Sequence, residues 1–155
     1  MQIVEKLREM SVSRLDLSGF VSSSAQTSVA DVLKSLRTSK VSAVLVVEGD
    51  VLLGVFTERD VLTKIAGNPN TWQQPVADFM TRDPQVMRPE GSINEALQLM
   101  EEGHYRNVPI LDEQGHVVGN LQQHEVIRFL TDEFPLEVYN LPPDPDRVAT
   151  TKEGA

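Results

Sequence analysis

Residues 28–36, SVADVLKSL, decide the fold, because their pattern returns 64 residues later in residues 92–100, SINEALQLM. Each copy starts with a serine that is followed three residues later by an acid, the capping box of a helix start. Apolar residues then recur at helical spacing along one face. Each copy therefore predicts an amphipathic helix.

Two strands and a short helix are predicted after each of these helices. Apolar, β-branched residues form the strands, and glycine-containing turns separate them. In the first copy the strands are 43–47 and 51–56, and a helical pattern follows at 61–65. In the second copy they are 108–111 and 117–119, followed by 126–130.

The chain is thus a tandem repeat of a helix–strand–strand–helix unit, an α/β (α+β) fold in which two short units share a core. Composition changes mark five predicted segments. They are an N-terminal helix and extended lead-in, the first repeat, a linker with a short helix, the second repeat, and an acidic tail with prolines: 1–20, 21–67, 68–85, 86–131 and 132–155.

The segment Gly54-Val55-Phe56-Thr57-Glu58-Arg59-Asp60 joins the second strand to the short helix. A helix start offers unpaired backbone N–H groups and positive partial charge, which suit a phosphate. Thr57 and Asp60 also form a Ser/Thr-x-x-acid capping box, which occurs in many helices that bind nothing. Both interpretations stand on these residues alone.

Composition narrows the functional classes. The formal net charge of −9 disfavours non-specific binding to nucleic acid or to an anionic membrane surface, although a local pocket can still hold one anionic ligand. No apolar run reaches the length of a membrane span, and residues 1–20 lack the apolar core of a signal peptide. The absence of cysteine fits a cytoplasmic protein.

Catalytic patterns are absent from the sequence. Without cysteine there is no thiolate nucleophile or thiolate metal site, and His104, His116 and His124 lack metal-ligand spacing. The serines at 22–24 have no nucleophile elbow around them. We therefore predict no enzymatic activity, no metal and no cofactor.

The motifs of both units, in their order along the chain, resemble a pair of cystathionine-β-synthase (CBS) domains. The resemblance is carried by residues 54–60, 76–84 (VADFMTRDP), 92–97 and 103–110 (GHYRNVPI). It implies two repeats related by a pseudo-two-fold axis, homodimers, and clefts that take adenosine-containing ligands such as AMP, ADP, ATP or S-adenosylmethionine.

The resemblance also implies roles for individual residues. Thr57 would supply a hydroxyl to phosphate, and the Asp60 carboxylate would accept from the ribose hydroxyls. Arg106 matches a basic position that faces phosphate and can serve either repeat, or it pairs with surface acids. Lys40 reaches a phosphate or is solvated. The residues expected at the adenine are Leu17, Ser22, Val41, Ser42 and Ala43.

The second repeat departs from this pattern. Gln122 stands where a hydroxyl is expected, and Glu125 replaces the aspartate with a side chain one methylene longer. Gln122 is also a poor helix cap. A second site formed by Gln122, Glu125, Asn107 and Val108 is therefore expected to be altered or empty.

Two functional hypotheses follow. In the first, an adenine nucleotide binds the first site and shifts the arrangement of a homodimer or of a protein effector, with the tail as an output element. In the second, the repeat pair is a ligand-free scaffold that only dimerises. The degenerate second motif favours the scaffold, and the intact first motif favours the sensor.

Overall fold

The computed structural model of the protein describes residues 2–134. The predicted tail of 132–155 lies outside this part of the chain except for its first three residues. No helix within residues 2–134 is long and apolar enough to cross a membrane.

The first repeat contains the predicted helix, β-hairpin and short helix. Its elements are β1 (Val21–Ser23), α2 (Val29–Ser39), β2 (Ala43–Glu48), β3 (Val51–Thr57) and α3 (Glu58–Asp60). Strand β2 pairs with β1 in parallel and with β3 antiparallel. The short helix continues as a π-helical turn, Val61–Ile65, in which the Ala66 N–H donates to the Val61 carbonyl at 2.8 Å. The predicted hairpin is confirmed.

The second repeat has the same order of elements. They are α4 (Ile93–Gly103), β5 (Asn107–Leu111), β6 (Val117–Gln122) and α5 (Gln123–Glu133), with β5 and β6 antiparallel. Helix α1 (Gln2–Glu9) precedes the repeats, and β4 (Thr81–Arg82) lies between them. The predicted α/β fold with two repeats is confirmed.

The equivalent helices α2 and α4 start and end in the same way. Ser28 and Ser92 cap them, each hydroxyl accepting the backbone N–H three residues on, at 3.1 and 3.0 Å. Lys40 and His104 end them in the left-handed conformation, both with φ of 56°. This conformation stops the helix and turns the chain into the next strand.

Each repeat is completed by the segment that precedes the other repeat. The Val12 N–H, in the lead-in, donates to the Gly91 carbonyl of the second repeat at 2.8 Å. The Val76 N–H, 64 residues later in the linker, donates to the Thr27 carbonyl of the first repeat at 2.8 Å. The lead-in therefore packs on the second repeat and the linker on the first, which sequence order alone does not reveal.

The hydrophobic core of each repeat contains residues from the segment that packs on it. The core of the second repeat includes Leu7 and Val12 from the lead-in, and the core of the first includes Val76 and Met80 from the linker. Strand β4 extends the first sheet by pairing with β3, so the sheet has the order β1-β2-β3-β4. Neither repeat is complete without a segment contributed from outside it.

The two hairpins meet at equivalent positions. Val51 forms a β-bridge with His116, its equivalent 65 residues later, and the Val117 N–H donates to the Asp50 carbonyl at 3.0 Å. Contacts between equivalent residues mark the pseudo-two-fold relation of the repeats. The opposite ends of the same strands form the candidate site.

Candidate functional site

A cavity of about 510 Å³ lies where the two repeats meet at the ends of their strands. Both repeats contribute equivalent segments to it: the residues that lead into β2 and β5, and the starts of the helices that follow β3 and β6. The lining residues are Leu36, Arg37, Lys40, Val41, Ser42, Glu58, Arg106, Gln122, Gln123 and His124.

The charge of this cavity is opposite to that of the chain. Arg37, Lys40 and Arg106 line it, and Glu58 is the one acid that the described residues contribute to its lining. None of the three cations forms an ion pair with an acid of residues 2–134. Unpaired cations around one cavity create a local positive potential, although the net charge is −9.

Local structure explains how these cations come together. Arg37 is in the last turn of α2, and Lys40 is the left-handed residue that ends this helix. Arg106 immediately precedes β5, at the position that Ser42 holds before β2. The backbone there is fixed by equivalent hydrogen bonds, from the Gln123 N–H to the Arg106 carbonyl at 2.9 Å and from the Glu58 N–H to the Ser42 carbonyl at 3.3 Å.

Gln122 connects the two repeats at the wall of this cavity. Its side-chain amide donates to the Ser42 hydroxyl at 3.2 Å, across 80 residues of sequence. The same side chain lies against Gly19 of the lead-in, where any added Cβ would collide with it. Gln122 is 7% exposed and makes no helix-capping bond. The glutamine that departs from the repeat pattern therefore bridges the repeats.

Asp60 is buried and already has partners within the protein. It is 4% exposed, and its Oδ2 accepts from the Thr57 N–H at 3.0 Å. Its Oδ1 accepts from the Thr81 hydroxyl at 3.2 Å and lies 2.8 Å from Lys64 Nζ. Lys64 also donates to the Phe79 carbonyl at 2.7 Å. Asp60 thus links β3, β4 and the short helix.

The helix start in the first repeat offers fewer free donors than expected. The N–H groups of Thr57 and Glu58 already donate, to Asp60 and to Ser42. The expectation that the backbone N–H groups here are unpaired is wrong for these two residues, because the Asp60 side chain and the start of β2 supply acceptors. A phosphate at this position would therefore compete with Asp60 and Ser42 for the same two N–H donors.

The structure brings together five of the residues predicted for the site, namely Lys40, Val41, Ser42, Arg106 and Gln122, all of which line the cavity. Of the remaining predicted residues, Ala43 and Val108 are fully buried in the strands. Ser22 is exposed on β1, opposite Leu45.

Three further predicted residues are engaged in the second repeat. The Leu17 carbonyl accepts from the Asn120 N–H at 2.8 Å, and the Asn107 side chain accepts from the Asn120 amide at 3.0 Å. Glu125 accepts two hydrogen bonds from Arg128, at 2.8 and 2.9 Å. Their roles toward a ligand, like those of Thr57 and Asp60, stay predictions.

Sequence reasoning missed five residues that line the cavity: Leu36, Arg37, Glu58, Gln123 and His124. Arg37 could have been found from the sequence, since it stands one helical turn before Lys40. Glu58, Gln123 and His124 line the cavity because the helix starts of both repeats meet there. Within residues 2–134 no group of three or more histidines and acids is arranged to hold a metal ion.

The fold and the cavity define a module of two docked α/β repeats with a cationic pocket between them. The chain belongs to the CBS domain family, whose model matches residues 12–67 and 76–132. Over 115 residues it is 31% identical to the CBS domain-containing protein CBSCBSPB1 of Arabidopsis thaliana, covering 73% of this chain. The chain spans only 21% of the length of that relative.

Solved structures of CBS proteins share the fold. The crystal structure of CBSX2 from Arabidopsis thaliana in complex with AMP has a TM-score of 0.70 and 26% identity, covering 80% of this chain and 98% of that one. The cytosolic domain of the Mg²⁺ channel MgtE in complex with ATP has a TM-score of 0.67 and 22% identity. That match covers 83% of this chain and 52% of the MgtE chain, and at this identity it shows the fold alone.

Proposed function

We propose that this chain is a non-catalytic regulatory module that binds an adenosine-containing ligand of the AMP, ADP and ATP class between its repeats. The observation that carries the proposal is the cavity on which Arg37, Lys40 and Arg106 converge without an acidic partner among residues 2–134. Such cations bind phosphate oxygens through charge-assisted hydrogen bonds. The ligand itself can then pair with cations that have no acidic partner in the described part of the chain.

The position of the cavity suggests how binding would be transmitted. Lys40 and Ser42 belong to the first repeat, and Arg106 and Gln122 belong to the second. A phosphate held by both would stabilise one relative placement of the repeats over others, and a ligand shifts an equilibrium only through such differential affinity. The response would pass to a second copy of the chain or to a protein effector.

The adenosine part of the proposal is supported by relatives rather than by geometry. CBSX2 is crystallised with AMP and shares 26% of its sequence with this chain. Val41 and Ser42 are proposed to approach the adenine, since they line the cavity beside the cations. Thr57 is proposed to contact a phosphate, and Asp60 is proposed to contact the ribose. To accept hydrogen bonds from the ribose hydroxyls, the Asp60 carboxylate would have to give up its ion pair with Lys64.

Calorimetric titration should detect binding of AMP or ATP to the purified chain, with a rise in its unfolding temperature. Arg106→Ala is expected to weaken the affinity about tenfold, because it removes one charge-assisted contact from the cavity. Arg106 is exposed, so this substitution leaves the fold intact.

Arg59→Ala is the matched control, since Arg59 is an exposed arginine that does not line the cavity. It removes the same charge from the chain and should leave the affinity within about twofold. Equal weakening by both variants would contradict a local site and point to a general effect of net charge. No heat with AMP, ADP, ATP or S-adenosylmethionine would refute the sensor function.

A ligand-free dimerisation module is the second candidate, and two observations favour it. Asp60 already has protein partners for both carboxylate oxygens. Leu62 and Ile127, which are repeat equivalents, are 74% and 53% exposed, an apolar surface suited to a second copy. Sedimentation of the wild-type chain and of Leu62→Gln with Ile127→Gln tests dimerisation, and the titration above separates the two functions.

A further inference from the structure

We infer that the cavity between the repeats selects ligands by phosphate charge, so that a nucleoside triphosphate binds more tightly than a monophosphate and a cationic adenosine derivative is excluded. This inference rests on the proposed function and specifies the ligand of the same cavity. It is carried by the charges that line the cavity and by their lack of partners in the described part of the chain.

The first step is the count of charges. Arg37, Lys40 and Arg106 contribute three positive charges, and Glu58 contributes one negative charge, so the cavity wall is net positive without His124. A single monophosphate can be matched by one bidentate arginine and a second donor. Three cations that come from two repeats exceed that requirement and fit a chain of phosphates.

The second step is the availability of these cations. Each of Arg37, Lys40 and Arg106 is exposed, and none has an ion pair with an acid among residues 2–134. Other cations in the protein are engaged, such as Lys64 with Asp60 and Arg128 with Glu125. An unpaired cation gives its full interaction to an incoming anion, because no internal partner has to be displaced.

The third step is the effect on S-adenosylmethionine. Its sulfonium and amino groups carry two positive charges and its carboxylate one negative charge, so the molecule is net positive and is repelled by a cavity wall of the same sign. Glu58 alone, at an exposed position, cannot offset three cations. The cavity therefore disfavours this ligand, although it contains adenosine. A triphosphate instead brings more negative charge to the same cations than a monophosphate does.

Titration of the full chain with ATP, ADP, AMP, S-adenosylmethionine and inorganic triphosphate, at one ionic strength and without divalent cations, tests the inference. We expect ATP to bind about tenfold or more tightly than AMP, and S-adenosylmethionine not to bind. Raising the salt concentration should weaken ATP binding more than AMP binding.

The variant Arg37→Gln tests whether the additional phosphates of ATP are bound by the cations of the cavity. It should lower the ATP affinity about fivefold and the AMP affinity by a smaller factor, because a monophosphate can be held by two of the three cations whereas a triphosphate uses all of them. Lys34→Gln is the matched control, since Lys34 lies one turn away on the same helix and outside the cavity lining. It should leave both affinities unchanged.

Three results separate the inference from the proposed function. Equal affinity for AMP and ATP, or tight binding of S-adenosylmethionine, would overturn charge selection and leave nucleotide binding standing. Binding of inorganic triphosphate without any adenosine ligand would support charge selection and refute the adenosine assignment. If none of the five compounds binds, both are refuted.

Discussion

Asp60→Ala should lower the free energy of unfolding by about 2–3 kcal/mol, the cost of leaving buried hydrogen-bonding groups without their charged acceptor. Asp60 is 4% exposed, accepts hydrogen bonds from the Thr57 N–H and the Thr81 hydroxyl, and forms an ion pair with Lys64. Alanine removes all three interactions and brings in no replacement acceptor. Chemical denaturation of the wild-type and variant chains measures the difference.

Glu125→Ala is the natural comparison, because Glu125 is the repeat equivalent of Asp60. Its partner Arg128 is 61% exposed, so the pair is screened by water and should contribute less than about 1 kcal/mol. Equal destabilisation by the two substitutions would show that the Asp60 network is not a structural link. Asp60→Asn, which keeps an acceptor for the Thr57 N–H, should fall between wild type and Asp60→Ala.

The same variants connect stability to binding. If Asp60 also accepts hydrogen bonds from ribose, AMP or ATP at a concentration that saturates the wild type should raise its free energy of unfolding. The same concentration should leave the free energy of unfolding of Asp60→Asn unchanged. Lys64→Gln should then tighten binding, because it frees Asp60 Oδ1 from its ion pair. Unchanged affinity in both variants would leave Asp60 with its structural role alone.

Gly54→Ala should destabilise the protein by about 1–3 kcal/mol through overpacking. A Cβ at this position would lie 2.7 Å from the Thr81 carbonyl oxygen and 2.8 Å from Met80 Sδ, closer than real contacts allow. The backbone of the linker crosses Gly54 here, since β4 pairs with β3 at this residue. Thermal and denaturant unfolding measure the loss.

Gly119→Ala should have a similar effect, because its Cβ would meet the Leu17 backbone oxygen at 3.0 Å and Leu17 Cβ at 2.6 Å. Gly67→Ala is the control, as nothing lies within 4 Å of an added Cβ and the backbone there is not left-handed. It should change stability by no more than about 0.5 kcal/mol. A larger effect at Gly67 than at Gly54 or Gly119 would contradict the close packing of the linker against Gly54 and of the lead-in against Gly119.

Part of the candidate site followed from the sequence. Arg106 was predicted to serve either repeat, and it lies in the cavity to which both repeats contribute. Lys40, Val41 and Ser42 were placed by their position before β2, and they line the same cavity. These residues could be located from the sequence because each is fixed by a local feature, a helix end or a strand start, that the repeat pattern marks, whereas their contacts with a ligand stay predictions.

Other features of the site could not be predicted. Gln122 appeared only as a departure from the motif, whereas the structure makes it a bridge to Ser42. Asp60 was predicted as the acid of a capping box or as an acceptor for ribose, whereas in the structure Thr81 and Lys64 also contact its Oδ1. These contacts join residues that are distant along the chain, and no local pattern specifies which of them meet.

The repeated α/β unit can be predicted from the sequence, because capping residues and hydrophobic periodicity act over a few neighbouring residues. The folded chain alone reveals that the lead-in completes the second repeat and the linker completes the first, as Val12 and Val76 show. It also reveals that Arg37 and Arg106, from different repeats, line one cavity. The physical reason is that docking two apolar faces sets distances between residues far apart in sequence, and the potential in the cavity depends on those distances.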